Sequence, residues 1–264
     1  MATYLFTTIG SGSYTKPKHI TKLIVECWGG GGSAYGNDAA NGTGGSGGQY
    51  AKKTIYYTDE ELTIPYIVAA SGSGFSVPGG YTHGTAGGDS IWGNNIVVAK
   101  GGAAGLIGAD NGISYSSSSI DGGIGDIVYA GGRGIVRANS AFRTGAGGGG
   151  AGSTGAGNDA TIINNESNDN ARGIGGIAKD EYGGAGGDGV NATGPQDGKN
   201  GNVYGGGGAQ GTTGFPSPGA LGFGAQGLIR ITEFSEVEFI IGNNLSSQVI
   251  VNNLSGTNQF IVVS

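Results

Sequence analysis

Apolar residues are gathered into short runs along this chain, and the runs carry the texture of strands. Residues 3–9, 20–28, 49–58, 62–70, 96–100 and 227–234 are rich in β-branched and aromatic side chains and are bounded by Gly, Pro, Asn or Asp, which predicts six strands. In residues 20–28, Leu23, Val25 and Cys27 fall on one face while Lys22 and Glu26 fall on the other, the alternation of a half-buried strand. Cys27 then reads as a small buried apolar residue and not as a reactive thiol.

Between these runs the chain changes texture. Residues 29–32, 42–48, 101–108, 145–157, 173–189 and 205–214 are glycine-rich, and within them Gly often recurs every third residue. Gly205, Gly208, Gly211 and Gly214 are one such series; Gly183, Gly186 and Gly189, Gly149, Gly152 and Gly155, and Gly102, Gly105 and Gly108 are others. Three residues per turn is the repeat of polyproline II, a helix without internal hydrogen bonds. Once buried, such a helix needs neighbours to pair its N–H and C=O groups, and the missing Cβ lets glycine backbones approach closely enough to do so. The expectation is a packed bundle of polyglycine II helices; the bland alternative is a set of flexible loops. The inserts at 73–86, 109–121, 137–144, 158–172, 190–204 and 212–223 would be the loops at the bundle's ends, where recognition usually sits.

Gly becomes sparse after residue 234. Residues 239–246 are echoed by 249–255, and an apolar run at 260–263 follows, which predicts a short β-meander joined by Asn-rich turns. The expected organisation is a glycine-rich β domain over 1–234 and a docking or assembly segment over 235–264. Phe239, Ile241, Val249, Val251, Phe260 and Val262 are its candidate assembly residues, because thirty residues bury too little surface to stand alone.

Composition sharpens this. Gly accounts for 62 of 264 residues, roughly three times the average usage of about 7%, and each Gly inside an α-helix costs about 1 kcal/mol relative to Ala. The fold class is therefore mainly β with polyglycine II helices and essentially no α-helix. A net charge of −6 makes the chain a poor binder of phosphate backbones, so no nucleic-acid partner is expected. No apolar run of about 18 residues exists to insert into a membrane, and no signal peptide is expected. One Cys and two His argue against a disulfide framework or a Cys/His zinc site.

Candidate chemistry is thin. Residues 183–191 fit the calcium nonapeptide G-G-x-G-x-D-x-U-x, but a single copy lacks the neighbouring turn that completes the ligand set. Residues 145–150 match G-x-G-x-x-G and residues 44–48 match G-x-S-x-G, yet neither opens a helix. His19 and His83 have no nucleophile and orienting acid at a recognisable spacing. No cofactor, metal or enzymatic activity is expected. Residues 59–61 and 16–18 read as solvated surface turns. The aromatics in or beside the inserts, Phe75, Tyr81, Tyr115, Phe142 and Phe215, are the candidate receptor-binding residues: exposed, they would stack on sugar faces; folded back, they would shield the bundle's end.

These residues carry a resemblance. The order Phe6-Thr7-Thr8, Ser13-Tyr14-Thr15-Lys16-Pro17, the strand 20–28 entering Gly29-Gly30-Gly31-Gly32, then Gly47-Gly48-Gln49-Tyr50-Ala51, Gly87-Gly88-Asp89-Ser90-Ile91-Trp92-Gly93 and Gly224-Ala225-Gln226-Gly227-Leu228-Ile229-Arg230-Ile231 is similar to the glycine-rich domain of bacteriophage tail-fibre and receptor-binding proteins. The resemblance implies a β-sandwich-like platform from which a packed bundle of polyglycine II helices projects, with variable loops touching the bacterial surface. It implies a virion protein whose partners are a host glycan or outer-surface protein, the neighbouring fibre, baseplate or capsid proteins, or further copies of itself. The alternatives are an architectural capsid-fibre or decoration subunit and a glycine-rich ice-binding protein.

Overall fold

The computed structural model describes residues 1–35, 42–77, 81–107, 113–117, 121–137, 145–163, 172–189, 197–211, 220–235, 248–250 and 261–263. None of them is helical. In chain order the strands are β1 (Ala2–Phe6), β2 (Gly10–Lys16), β3 (Ile20–Trp28), β4 (Tyr50–Tyr56), β5 (Leu62–Val68), β6 (Gly74–Val77), β7 (Tyr81–Gly84), β8 (Ser90–Trp92) and β9 (Val97–Ala99). There follow β10 (Ile113–Tyr115), β11 (Ile127–Tyr129), β12 (Ile135–Arg137), β13 (Thr161–Ile163), β14 (Arg172–Ile174), β15 (Leu228–Ser235), β16 (Gln248–Ile250) and β17 (Ile261–Val263).

Two antiparallel sheets form a sandwich. One has the order β1-β15-β3-β4-β11 and the other β2-β5-β8-β9. Leu23, Val25 and Cys27 of β3 and Ile229 and Ile231 of β15 point inward against Ile64 and Val68 of β5, Trp92 of β8 and Val97 of β9. Each fully buried aliphatic chain there contributes about 1.5–3 kcal/mol. Cys27 is one of the buried core residues, and burial pushes its thiol pKa above the ordinary range. The sandwich interior also admits polar groups in pairs: the Tyr14 hydroxyl donates to the Glu233 carboxylate. Lys16, expected on a surface turn, is only 1% exposed. Its Nζ donates to the carbonyls of Ile20 (2.7 Å), Pro17 (3.1 Å) and Thr58 (3.3 Å), which supply the acceptors that burial would otherwise remove. Residues 59–61 are the solvated turn that was expected.

At one end of the sandwich the chain runs as paired limbs, 29–35 with 42–49, 69–77 with 81–89, 130–137 with 145–151, 157–163 with 172–179, 183–189 with 197–202 and 205–211 with 220–227. Their outgoing and returning limbs are the polyglycine II bundle. Residues 29–35 display its logic. The N–H groups of Gly29, Gly32 and Tyr35 donate to the carbonyls of Gln49, Ser46 and Thr43; those of Gly30 and Ser33 to Gly88 and Thr85; those of Gly31 and Ala34 to Ala225 and Gly222. Every third residue meets the same neighbour, the period of the helix. Acceptor numbers fall by three as donor numbers rise by three, so these neighbours run antiparallel. Gly102 and Gly105 donate to Gly30 and Ser33, a parallel pair.

Glycine is required here for space and seldom for φ. Among the described glycines only Gly10, Gly93, Gly122, Gly155 and Gly205 have positive φ. By contrast, a Cβ on Gly47 would meet the Gly149 carbonyl oxygen at 2.0 Å. Where a limb carries another residue, its side chain can take over a backbone's duty. The Ser46 Oγ accepts from the N–H of Ala103 (2.6 Å), the Thr43 Oγ1 from Leu106 (2.8 Å) and the Ser33 Oγ from Thr85 (2.9 Å).

The structure amends the expected boundaries. Gly149 lies in a limb, but Gly152 and Gly155 form a turn with φ of +152° at Gly155, so that period-three series stops. Residues 198–202 and 220–223, expected as loops, are limb backbone: Gly198 donates to Ala220, and Gly201 to Phe223. β2, β8 and β11 were not among the predicted strands.

Candidate recognition surface

The limbs end away from the sandwich. Tyr35 N donates to Thr43 O, Gly42 bridges Ile107, Gln210 N donates to Gly145 O, and β10 pairs with β12 from Ile113 opposite Arg137 to Tyr115 opposite Ile135. These contacts gather the limb tips at one end of the molecule. The opposite end holds both Ala2 and Ser235, since β1 and β15 pair with Ala2 opposite Glu233. The described domain therefore has a polarity: limb tips at one pole, the start of β1 and the end of β15 at the other.

Of the five aromatics singled out as receptor contacts, Tyr115 is the one whose side chain is described. It is 42% exposed and stands on β10 opposite Ile135 of β12. Its ring is held by Arg133, whose guanidinium lies 4.4 Å from the ring centroid. Arg133 is held in turn by Asp159, with Nε at 3.0 Å and Nη2 at 2.7 Å from Oδ2, while the Arg133 N–H donates to Oδ1 at 2.7 Å. Burial pushes the Asp159 carboxyl upward, but the Arg133 hydrogen bonds outweigh it and leave the pKa below the ordinary range. Exposed Ile113 stands on the same short ladder. An aromatic–cation–carboxylate group fixed on a rigid limb presents a π-edge, donors and acceptors together. Phe75 and Tyr81 lie on the antiparallel pair β6–β7, where the register sets Phe75 opposite His83 and Val77 opposite Tyr81. Phe142 and Phe215 fall outside the described residues. So do Phe239, Ile241, Val251 and Phe260. Val249 and Val262 are register partners in the β16–β17 pair.

A second cluster escaped the sequence reading. The face of β3 expected to meet solvent is covered: Glu26 is 4% exposed and Trp28 1%. The Glu26 carboxylate accepts from Arg230 Nε (2.7 Å), Arg230 Nη2 (2.8 Å) and the Tyr50 hydroxyl (2.7 Å). Arg230 also lies 5.5 Å from the Trp28 ring and 4.9 Å from Tyr182. Burial first, and then the bond to Glu26, pushes the Tyr50 hydroxyl up, while the same carboxylate raises Arg230. Ala151, Tyr182 and Tyr204 of the bundle's inner turns close over this face. Asp180 anchors those turns, accepting from Ser153 Oγ (2.8 Å), Tyr182 N (2.9 Å) and Gly183 N (2.8 Å). The cluster clamps bundle to platform. The signal that would have found it is the β3–β15 register, which sets Arg230 opposite Glu26.

The nonapeptide match is occupied by structure. Asp188 Oδ1 accepts the N–H of Gly175 at 2.8 Å, and its Oδ2 lies 4.0 Å from Lys199 Nζ. Among the described residues no group of His, Cys, Asp and Glu is arranged to hold a metal ion.

A family model described as a glycine-rich domain matches residues 7–233, and the chain belongs to that family. No curated protein sequence matches it.

Proposed function

We propose that this member of the glycine-rich domain family is a non-enzymatic bacteriophage virion subunit, a tail-fibre or fibre-tip adhesin that carries its connecting segments to the host surface. The observation that supports this best is the polarity of the molecule. Limb tips occupy one pole, and the chain enters and leaves the sandwich at the other, the natural place for attachment to a fibre, baseplate or capsid. Because backbone bonds lock each limb to several neighbours, segments mounted on the tips lose little freedom when they engage a target. Many copies on a particle convert weak contacts into avidity. The target class is a glycan or an outer-surface protein, read in part by Tyr115 with Arg133 and Asp159. With a net charge of −6, the contact gains little from long-range attraction to an acidic envelope.

The test is binding of the full chain to a panel of bacterial cells and their surface polysaccharides. Saturable binding is expected to at least one member, weakened about tenfold by Tyr115→Ala, the effect of losing roughly 1.4 kcal/mol. Absence of binding across the panel, with labelled particles carrying the chain on the capsid, would overturn the adhesin in favour of an architectural subunit. Thermal hysteresis in the purified chain would point instead to ice binding.

A further inference from the structure

The two sides of the sandwich are finished differently. On one, Val98 of β9 and Ile124 exchange N–H···O=C bonds, each 2.9 Å, and Ile124 leads into β11, so the last strands of the two sheets are tied together. On the other, β1 ends one sheet and β2 ends its partner, and among the described residues no strand pairs with their free edges. Ala2–Phe6 contains no charge and no Pro, the residues that commonly blunt an edge against further pairing. Tyr4 points inward, with its ring 6.1 Å from that of Tyr14, yet it is 43% exposed because the layers are open along this side. Leu5 on the outer face and Ile9 beyond the strand are exposed beside it. The turn between β1 and β2 is held by Gln226, whose Nε2 donates to the Thr7 carbonyl at 2.8 Å, so the edge stands ready-formed.

We infer that this edge is the contact between two copies of the chain, with β1 pairing antiparallel to β1 of a second copy about a two-fold axis through Tyr4. Charge singles out this occupant. The chain as a whole stands at −6 and repels its own copy, and an isologous contact sets one patch against itself, so like charges meet unless the patch has none. Residues 1–15, which form both open edges, carry no charged side chain before Lys16. The strand also matches itself face by face. With Tyr4 on the axis, Thr3 lies opposite the second copy's Leu5 on the outer face; on the inner face Ala2 lies opposite its Phe6 and Tyr4 opposite its Tyr4, an aromatic cross-strand pair. Antiparallel pairing gives the free N–H and C=O groups of both strands their partners and joins the two larger sheets into one.

Sedimentation of the full chain tests this, and a dimer is expected. Leu5→Lys changes a side chain that is 48% exposed and should weaken the dimer at least about tenfold by placing a charge on the edge. Tyr56→Lys, on the interior strand β4, should leave it unchanged. Oxidative cross-linking reads the register, since the native Cys27 is buried. Tyr4→Cys should link to its own copy, whereas Thr3→Cys and Leu5→Cys should link only when mixed: directly opposed Cβ atoms lie about 5 Å apart and diagonal ones about 7–8 Å, beyond the reach of a disulfide. A chain that is monomeric at every concentration, a dimer indifferent to Leu5→Lys, or a different cross-linking pattern would overturn the inference. Protected amides at residues 3–5 of a monomer would assign the edge to another segment of the same chain.

Discussion

The sandwich and the bundle are both buried, yet opposite parts of the residue hold them together. In the sandwich, side chains such as Leu23, Trp92 and Ile231 fill the space between sheets, and stability follows the apolar surface they remove from water. In the bundle, residues 29–35, 42–49 and 145–151 are buried with little side chain to contribute, and cohesion lies in lateral N–H···O=C bonds of 2.7–3.2 Å. A net hydrogen bond is worth only about 1 kcal/mol, but an unmade one in a buried site costs about 1–3. The bundle is thus held less by the strength of any bond than by the penalty for losing one. The two regions should answer mutation in opposite ways: the sandwich suffers when atoms are removed, the bundle when they are added.

The largest effect is expected from adding a single methyl group to a limb. Gly87→Ala places a Cβ 2.1 Å from the Gly30 carbonyl oxygen, a clash of backbone on backbone that no rotamer relieves. A loss of about 3 kcal/mol or more is expected, at the upper end for overpacking. Gly88→Ala, one residue on, meets nothing closer than 3.2 Å and should stay within about 1 kcal/mol of the parent. Equal losses in the two variants, measured by denaturant unfolding, would erase the contrast between bundle and sandwich.

The clamp between the regions comes next. Arg230→Met leaves the Glu26 carboxylate buried with the Tyr50 hydroxyl as its remaining hydrogen-bond partner, and breaking a buried pair costs about 3–5 kcal/mol. Combining it with Glu26→Gln removes the stranded charge and should return most of the loss. A double-mutant cycle with no coupling would show that the packing of Trp28, Tyr50 and Tyr182 holds the junction without the ion pair.

The smallest effect is a pH dependence of the inner turns. Burial raises the Asp180 carboxyl, but its bonds from Ser153, Tyr182 and Gly183 outweigh this and hold its pKa below the ordinary value. Its contribution to stability is therefore complete above the unfolded pKa of about 3.9 and is lost as pH falls through the lower folded value. Asp180→Asn should flatten the acid limb of the stability curve while leaving exchange in limb 29–35 unchanged at neutral pH. An unaltered acid limb would remove Asp180 as the anchor.

Much of the platform was legible along the chain. The alternation in 20–28 assigned Leu23, Val25 and Cys27 to the core, and five other runs fell on observed strands. β2 was missed because Gly-Ser-Gly-Ser-Tyr-Thr-Lys reads as a linker. It is a strand because it pairs along its length with β5, and Gly12 leaves room there for the tip of the Tyr66 side chain, 2.4 Å from where a Cβ would stand. The covered faces of Glu26 and Lys16 were illegible for a related reason. A polar residue in an alternating strand looks solvated until something distant closes over it.

What the sequence by itself determined is local: which residues of each strand face inward, and that the glycine blocks, having no internal bonds and no side chains to bury, must find neighbours. Which neighbour each limb takes, in which direction, and what lies over the outer face of β3 were decided only by the tertiary structure. The physical reason is that a polyglycine II limb makes its backbone hydrogen bonds to neighbouring limbs and none within its own helix, and a backbone without side chains leaves no pattern in the sequence to name them.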